Sequence, residues 1–212
     1  MKNLFLTASF ADVAQYFEQF IGYPTIGKTV TFIITASIPE EYTGYVDNDK
    51  SAFEALGVYV DVFDVTEKNE VEITEKLAKN EFIYVSGGNT FYLLQELKKS
   101  KADQFITAQI TAGKTYIGAS AGSMILSHDL TYVEQIDDKN KAPELKDNTG
   151  LGLIPFYVLP HYKNEPFTAI MDTVFLQYQA QLTFVPISNT QAIEIKGDKH
   201  QVIGIPAASI SE

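Results

Sequence analysis

The chain of 212 residues contains no cysteine, no tryptophan and no arginine. Without cysteine there is no disulfide, no thiolate metal ligand and no cysteine nucleophile. Without arginine, all 16 basic residues are lysine. Recognition of a carboxylate then falls to lysine, backbone N–H groups or neutral side chains, because the flat bidentate guanidinium fork is missing. Histidine is scarce, with three residues. No apolar run approaches the ~18 residues that span a bilayer. The apolar part of MKNLFLTASF is too short for a secretory signal. A soluble cytoplasmic protein without a membrane partner is expected. Positive charge is also in short supply, and the formal net charge is −11. Non-specific nucleic-acid binding needs clustered cations, so a nucleic-acid partner is not expected.

What is present is an ordinary globular composition, 45% hydrophobic and 20% charged. The length suits one domain, residues 1–212, with a core large enough to need no covalent staple. Apolar β-branched runs alternate with amphipathic stretches. Strands are predicted over 3–10, 29–35, 58–65, 81–85 and 115–119. Helices are predicted over 11–21, 48–56, 71–79, 89–99 and 103–112. Alternation at this spacing predicts βαβ units and a mostly parallel sheet with helices on both faces. After Ser127 the pattern loosens. Residues 129–150 read as a short strand and a long polar loop. A strand over 156–159, a helix over 166–180 and short strands over 182–185, 191–195 and 201–205 complete the chain. Lys196-Gly197-Asp198-Lys199 signals a hairpin turn.

The stretch TYIGASAGSMIL, residues 115–126, sets Gly-x-Ser-x-Gly between a predicted strand and a predicted helix. That context marks a nucleophile elbow, in which a tight turn lifts Ser120 above the carboxyl ends of the strands. A simple turn of small residues is the plainer alternative. A serine nucleophile needs a base. His128 lies eight residues further on, and about 1.5 Å of rise per residue puts it roughly 12 Å away on a helix. His200 adjoins the polar hairpin turn. His161 closes the strand before it, at the sheet edge where α/β sites assemble, and is the candidate base. Gly87-Gly88, between a strand and Asn89-Thr90, can aim backbone N–H groups at a developing oxyanion. The N–H groups of Gly88 and Ala121 are the candidates, with Gly87 and Asn89 supporting them. A glycine turn capped by Asn89 or Thr90 explains the same stretch. A carboxylate should orient the imidazole. Asp129, Glu134, Asp137, Asp138, Glu144 and Asp147 all lie between Ser120 and His161. No metal-ligand spacing appears, and no cofactor is expected.

Together, GGNTFYLL, GASAGS and LPHY resemble the serine peptidases typified by aspartyl dipeptidase (peptidase E), with cyanophycinase as a cousin. The resemblance runs from the first strand to the last hairpin. It implies a flavodoxin-like three-layer sandwich, similar to class I glutamine amidotransferases. It implies Ser120 as nucleophile, His161 as base and Gly87-Gly88 at the oxyanion hole. Dipeptidase members place their acid in an Asn-Asp pair in the region matching TYVEQIDD. Asp137 is the first choice there, Asp138 the second and Glu134 the third, a glutamate being the cyanophycinase choice. Dipeptidases for N-terminal aspartate also carry an arginine-containing stretch after the histidine. The matching YKNEPFTAIMDTVFLQYQAQL holds only Lys163 as a base. The expected activity is therefore hydrolysis of short peptides through an acyl-enzyme on Ser120, not restricted to N-terminal aspartate. An esterase of the α/β-hydrolase type shares the elbow, but only about 50 residues follow His161, fewer than that fold usually needs. A non-catalytic binding module on the same fold is the rival from another class. Tyr42 and Tyr45, in a predicted loop, offer a face for a homodimer.

Overall fold

A computed structural model describes residues 1–207. The last five residues of the expected domain lie outside the described part. Five parallel strands form where the apolar runs predict them: β1 (Asn3–Thr7), β2 (Thr29–Ile33), β3 (Tyr59–Phe63), β4 (Phe82–Val85) and β5 (Thr115–Ala119). They join β8 (Gln191–Lys196) and β9 (Lys199–Gly204) in one sheet of order β3-β2-β4-β5-β1-β8-β9. β8 lies antiparallel to β1 and pairs with β9 through the predicted hairpin, Lys196 opposite Lys199. A separate parallel pair, β6 (Tyr157–Leu159) and β7 (Phe184–Pro186), stands apart from this sheet.

Alternate side chains of each inner strand face opposite layers, as the period of two requires. Leu4, Leu6, Ile83, Val85 and Tyr116 pack on one face under α3 (Glu70–Lys79), α4 (Thr90–Ser100) and α5 (Ala102–Thr111). Phe5, Phe32, Phe82, Tyr84 and Ile117 pack on the other under α1 (Phe17–Ile21) and α2 (Gly44–Ala55). The result is a mostly parallel sheet in a three-layer α/β sandwich. The second layer is built on aromatic rings, with Phe10 stacked on Phe53 at 4.0 Å and Phe32 on Tyr84 at 4.3 Å. No helix among the described residues is long and apolar enough to cross a membrane.

Two expectations change. Residues 129–150 form no strand, only an isolated bridge between Asp129 and Thr149 and short 3-10 turns at Thr131–Gln135 and Lys139–Lys141. Their polar side chains bond locally instead of joining a ladder. The helix predicted over 11–21 opens as a 3-10 turn, and only its end is α-helical. Val13, Phe17 and Phe20 are still buried, so the apolar face reads correctly although its first turn is tighter.

The site end of the sheet is set by close backbone contacts. A Cβ on Gly122 would lie 2.1 Å from the carbonyl oxygen of Val85 at the end of β4. A Cβ on Gly118 would lie 2.5 Å from the oxygen of Gly122. Real Cβ atoms cannot occupy those positions without moving backbone. Gly122→Ala is therefore expected to lower stability by about 1–3 kcal/mol. A urea midpoint unchanged from the parent chain would contradict this packing.

Candidate active site

Ser120 sits between β5 and the short α6 (Ala121–Met124), with φ 48° and ψ −106°. This is an unfavourable conformation for a residue with a side chain, of the kind that persists only where neighbours enforce it. The neighbours are identifiable. Ser120 N donates to Thr7 O at 2.9 Å, fastening the turn to the end of β1. The Ser123 hydroxyl lies 2.8 Å from both Thr7 O and Gly118 O and accepts from Thr7 N at 3.0 Å. α6 ends at Met124, so His128 is not on a helix with Ser120, and its side chain is exposed. His200 is exposed too, its ring centred 4.7 Å from that of Phe156 and tilted by 44°.

His161 follows β6, with φ 57°. Its Nε2 lies 3.1 Å from Ser120 Oγ, within reach for proton transfer. Its other ring nitrogen, Nδ1, lies 2.7 Å from the side-chain oxygen of Asn189. An amide oxygen can only accept, so Nδ1 carries the proton and Nε2 is left as the acceptor facing serine. Phe167 stacks on the imidazole at 4.6 Å, with 24° between the planes. Asn164 accepts from Asn189 N at 2.9 Å and holds the loop that carries the amide.

The carboxylate expected behind His161 is not there. Asp137 Oδ2 instead accepts from Thr90 N at 2.8 Å, at the start of α4. Asp138 accepts from Asn140 N and Nδ2 at 2.9 Å and caps its own turn. Glu134 pairs with Lys139 at 2.8 Å and accepts from Asn148 Nδ2. Each is engaged elsewhere, and an asparagine fills the orienting position. β6 and β7 run parallel, Leu159 beside Pro186. His161 lies two residues past one strand end and Asn189 three past the other, so the pairing of the two strands brings them together. A search for acids between Ser120 and His161 misses Asn189 on both residue type and place.

Gly88 has φ 131°, and a Cβ there would lie 2.1 Å from Ala36 O, so only glycine fits. Among the described residues, neither the Gly88 N–H nor the Ala121 N–H has a hydrogen-bond partner in the protein. Gly87 lies against Ser120, a Cβ on it falling 3.3 Å from Ser120 Cβ. Asn89 caps α4 by accepting from Tyr92 N at 2.9 Å and donates to Asp138 O at 3.0 Å. The cap reading of this stretch is therefore correct for Asn89. It coexists with two N–H groups unpaired among the described residues: that of Ala121, next to Ser120 in the chain, and that of Gly88, which follows the glycine packed on Ser120.

The matching family model, peptidase family S51, covers residues 4–203. The chain belongs to peptidase family S51. It is 49% identical to an uncharacterized peptidase of Listeria monocytogenes, over 93% of this chain and 96% of that one. It is 47% identical to an uncharacterized peptidase of Pasteurella multocida, over 96% of this chain and 98% of that one. A peptidase E of Nostoc is 31% identical over 71% of this chain and 58% of its own length. A crystal structure of a peptidase E-type protein from Listeria monocytogenes EGD-e superposes with TM-score 0.92 at 48% identity, covering 97% of this chain and 99% of that one. The S51 assignment makes this chain a peptidase and matches the flavodoxin-like fold.

Burial of His161 holds its pKa below the ordinary value of 6.5, against the opposing pull of the Asn189 bond and the Asp12 charge. The neutral ring, the form able to accept a proton, is thus favoured at pH 7. A depressed histidine pKa contributes stability that is present above the unfolded value and lost as pH falls through and below it. The rate of Ser120 modification should accordingly fall on the acid side with a midpoint below 6.5. Asn189→Asp places a carboxylate beside Nδ1 and should move that midpoint up, by about 1–3 pH units. An unmoved acid limb in the pH profile of inactivation would contradict the Asn189 contact.

Proposed function

We propose that the protein is a serine-type peptidase that cleaves short peptides through an acyl-enzyme on Ser120. The observation that carries this reading is the aligned chain Ser120 Oγ, His161 Nε2 at 3.1 Å and Asn189 Oδ1 at 2.7 Å from Nδ1. Ser120 attacks the peptide carbonyl while His161 takes its proton. The oxyanion receives the free N–H groups of Gly88 and Ala121. His161 returns the proton to the leaving amine, and a water then repeats the sequence to release the acid. Asn189 keeps the imidazole in the tautomer that can accept. A Cys-His-Asn site works with the same neutral third member.

Preference for an acidic amino-terminal residue is not part of this reading. Lys163, the one base after His161 in the stretch where dipeptidases for N-terminal aspartate carry an arginine, is held by both oxygens of Asp172 at 2.7 Å. Lys141 is paired with Glu40 at 3.0 Å.

Fluorophosphonate labelling tests the assignment. The parent chain should be labelled at Ser120, and Ser120→Ala should abolish the label. His161→Ala should slow labelling by about 10²-fold or more. Label retained on the Ser120→Ala variant would sink the proposal.

A further inference from the structure

A large apolar side chain left at the surface needs a reason when it touches a reacting group. Of the two tyrosines expected on a dimer face, Tyr45 turns its ring toward Gly87, Cε2 lying 3.7 Å from the Cβ position there, and Tyr42 stands out, 72% exposed. Phe167 is 37% exposed, and its ring covers one face of the His161 imidazole, the centroids 4.6 Å apart. That separation suits an offset aromatic stack. With so much of the residue in water, filling the core is not what this side chain does.

Local bonds hold Phe167 in place. Asn164 N donates to His161 O at 3.0 Å, and Phe167 N donates to Asn164 O at 2.8 Å. Two successive turns thus fold residue 167 back over residue 161. Phe167 also opens α7 (Thr168–Tyr178), its carbonyl accepting from Met171 N at 2.9 Å. Met171 and Val174 root that helix in the core. The Asn164 side chain ties the same turn to Asn189 N at 2.9 Å.

The imidazole lacks any other constraint on its tilt. Its two hydrogen bonds, to Ser120 Oγ at 3.1 Å and Asn189 Oδ1 at 2.7 Å, act at the ring nitrogens, whose N–H and lone pair point along the ring plane. They resist sliding within the plane but let the ring rock about the line that joins them. Asn189 is neutral, and a neutral hydrogen bond is roughly half as strong as a charge-assisted one. A flat ring against the face blocks the rocking and keeps water from that side. The charged groups nearby do neither. Asp12, on the loop after β1, favours the protonated ring. Lys163 and Asp172, on the turn and α7, pair with each other at 2.7 Å. Glu165, on the same turn, is exposed.

We infer that Phe167 is a positioning residue for the base: its ring fixes the plane of the His161 imidazole between Ser120 and Asn189 and shields that face from water. The inference rests on the serine-peptidase reading of Ser120 and His161 and deepens it.

Heteronuclear NMR of the histidine rings, with His161 assigned through His161→Gln, tests the contact without turnover. In the parent chain His161 should titrate below 6.5 with its proton on Nδ1. Phe167→Ala admits water to the ring and should move that midpoint up by about half a unit or more. Phe167→Tyr keeps the flat face and should leave it in place. Fluorophosphonate labelling at about pH 8, where the ring is neutral, reads the positioning itself. Phe167→Ala should slow it about fivefold or more, and Phe167→Tyr should keep the parent rate. Phe167→Leu keeps apolar bulk without a flat face and should label as slowly as the alanine variant; it decides if that variant fails to fold. A His161 midpoint unmoved or lowered by Phe167→Ala, an alanine or leucine variant labelled as fast as the parent, or a tyrosine variant as slow as the alanine one overturns the inference. A parent chain that takes no label at Ser120 counts against the serine reading, and the titration still judges the contact. A labelled parent with unchanged variants counts against Phe167 alone.

Discussion

Close approach of the β5–α6 turn to the end of β4 is the constraint on which the site depends. Gly122 lets the turn settle onto Val85, and Gly118 lets the turn close on itself. Only then can Ser120 hold its positive φ with its backbone N–H on Thr7. The same approach brings Gly87 against Ser120, and the N–H groups of Gly88 and Ala121 there have no partner among the described residues. Several conformationally costly positions are thus gathered at one corner and stabilised by the well-packed sheet behind them. This fits the general finding that backbone strain concentrates where function requires a fixed geometry.

The neutral asparagine behind His161 changes the electrostatics of the site. A carboxylate would stabilise the imidazolium that forms when serine gives up its proton. Asn189 supplies only a dipole, and burial already works against the charged ring. The negative charge of Asp12 opposes that effect, as the Asn189 bond does. The ring is therefore well suited to begin the reaction as a neutral base and receives modest help once protonated. Asp137 is freed from the catalytic line, and its carboxylate, pushed up to about 6 by burial, stands at the head of α4. Keeping a buried carboxylate charged is costly, and burial is the chief reason that this one ionises less readily than an exposed aspartate.

Much of the fold was legible because parallel buried strands read as continuous apolar runs and helices show their period. Ser120 and His161 were legible for a related reason: small residues and a histidine at strand ends carry a local signature. Asn189 had none. Asparagine is common in loops, and nothing in Ser188-Asn189-Thr190 distinguishes a tautomer-setting amide from a turn residue. The acidic run Asp137-Asp138 misled because a carboxylate's partner depends on the loop's path, which sequence periodicity does not report. The loop folds back on α4, where an N-terminal helix end offers Asp137 an N–H.

By itself the sequence determined the order of most strands and helices, the elbow turn and the choice of Ser120 and His161 as the candidate pair, since these rest on local sterics and on hydrophobic period. It also excluded a guanidinium clamp outright, by composition. Tertiary structure alone decided what stands behind His161 and what Asp137 faces. Both answers depend on the lateral pairing of β6 with β7 and on the fold-back of residues 129–150 over α4, contacts between segments far apart in the chain. Such contacts are set by packing and hydrogen-bond satisfaction in three dimensions, and a one-dimensional pattern does not encode them residue by residue.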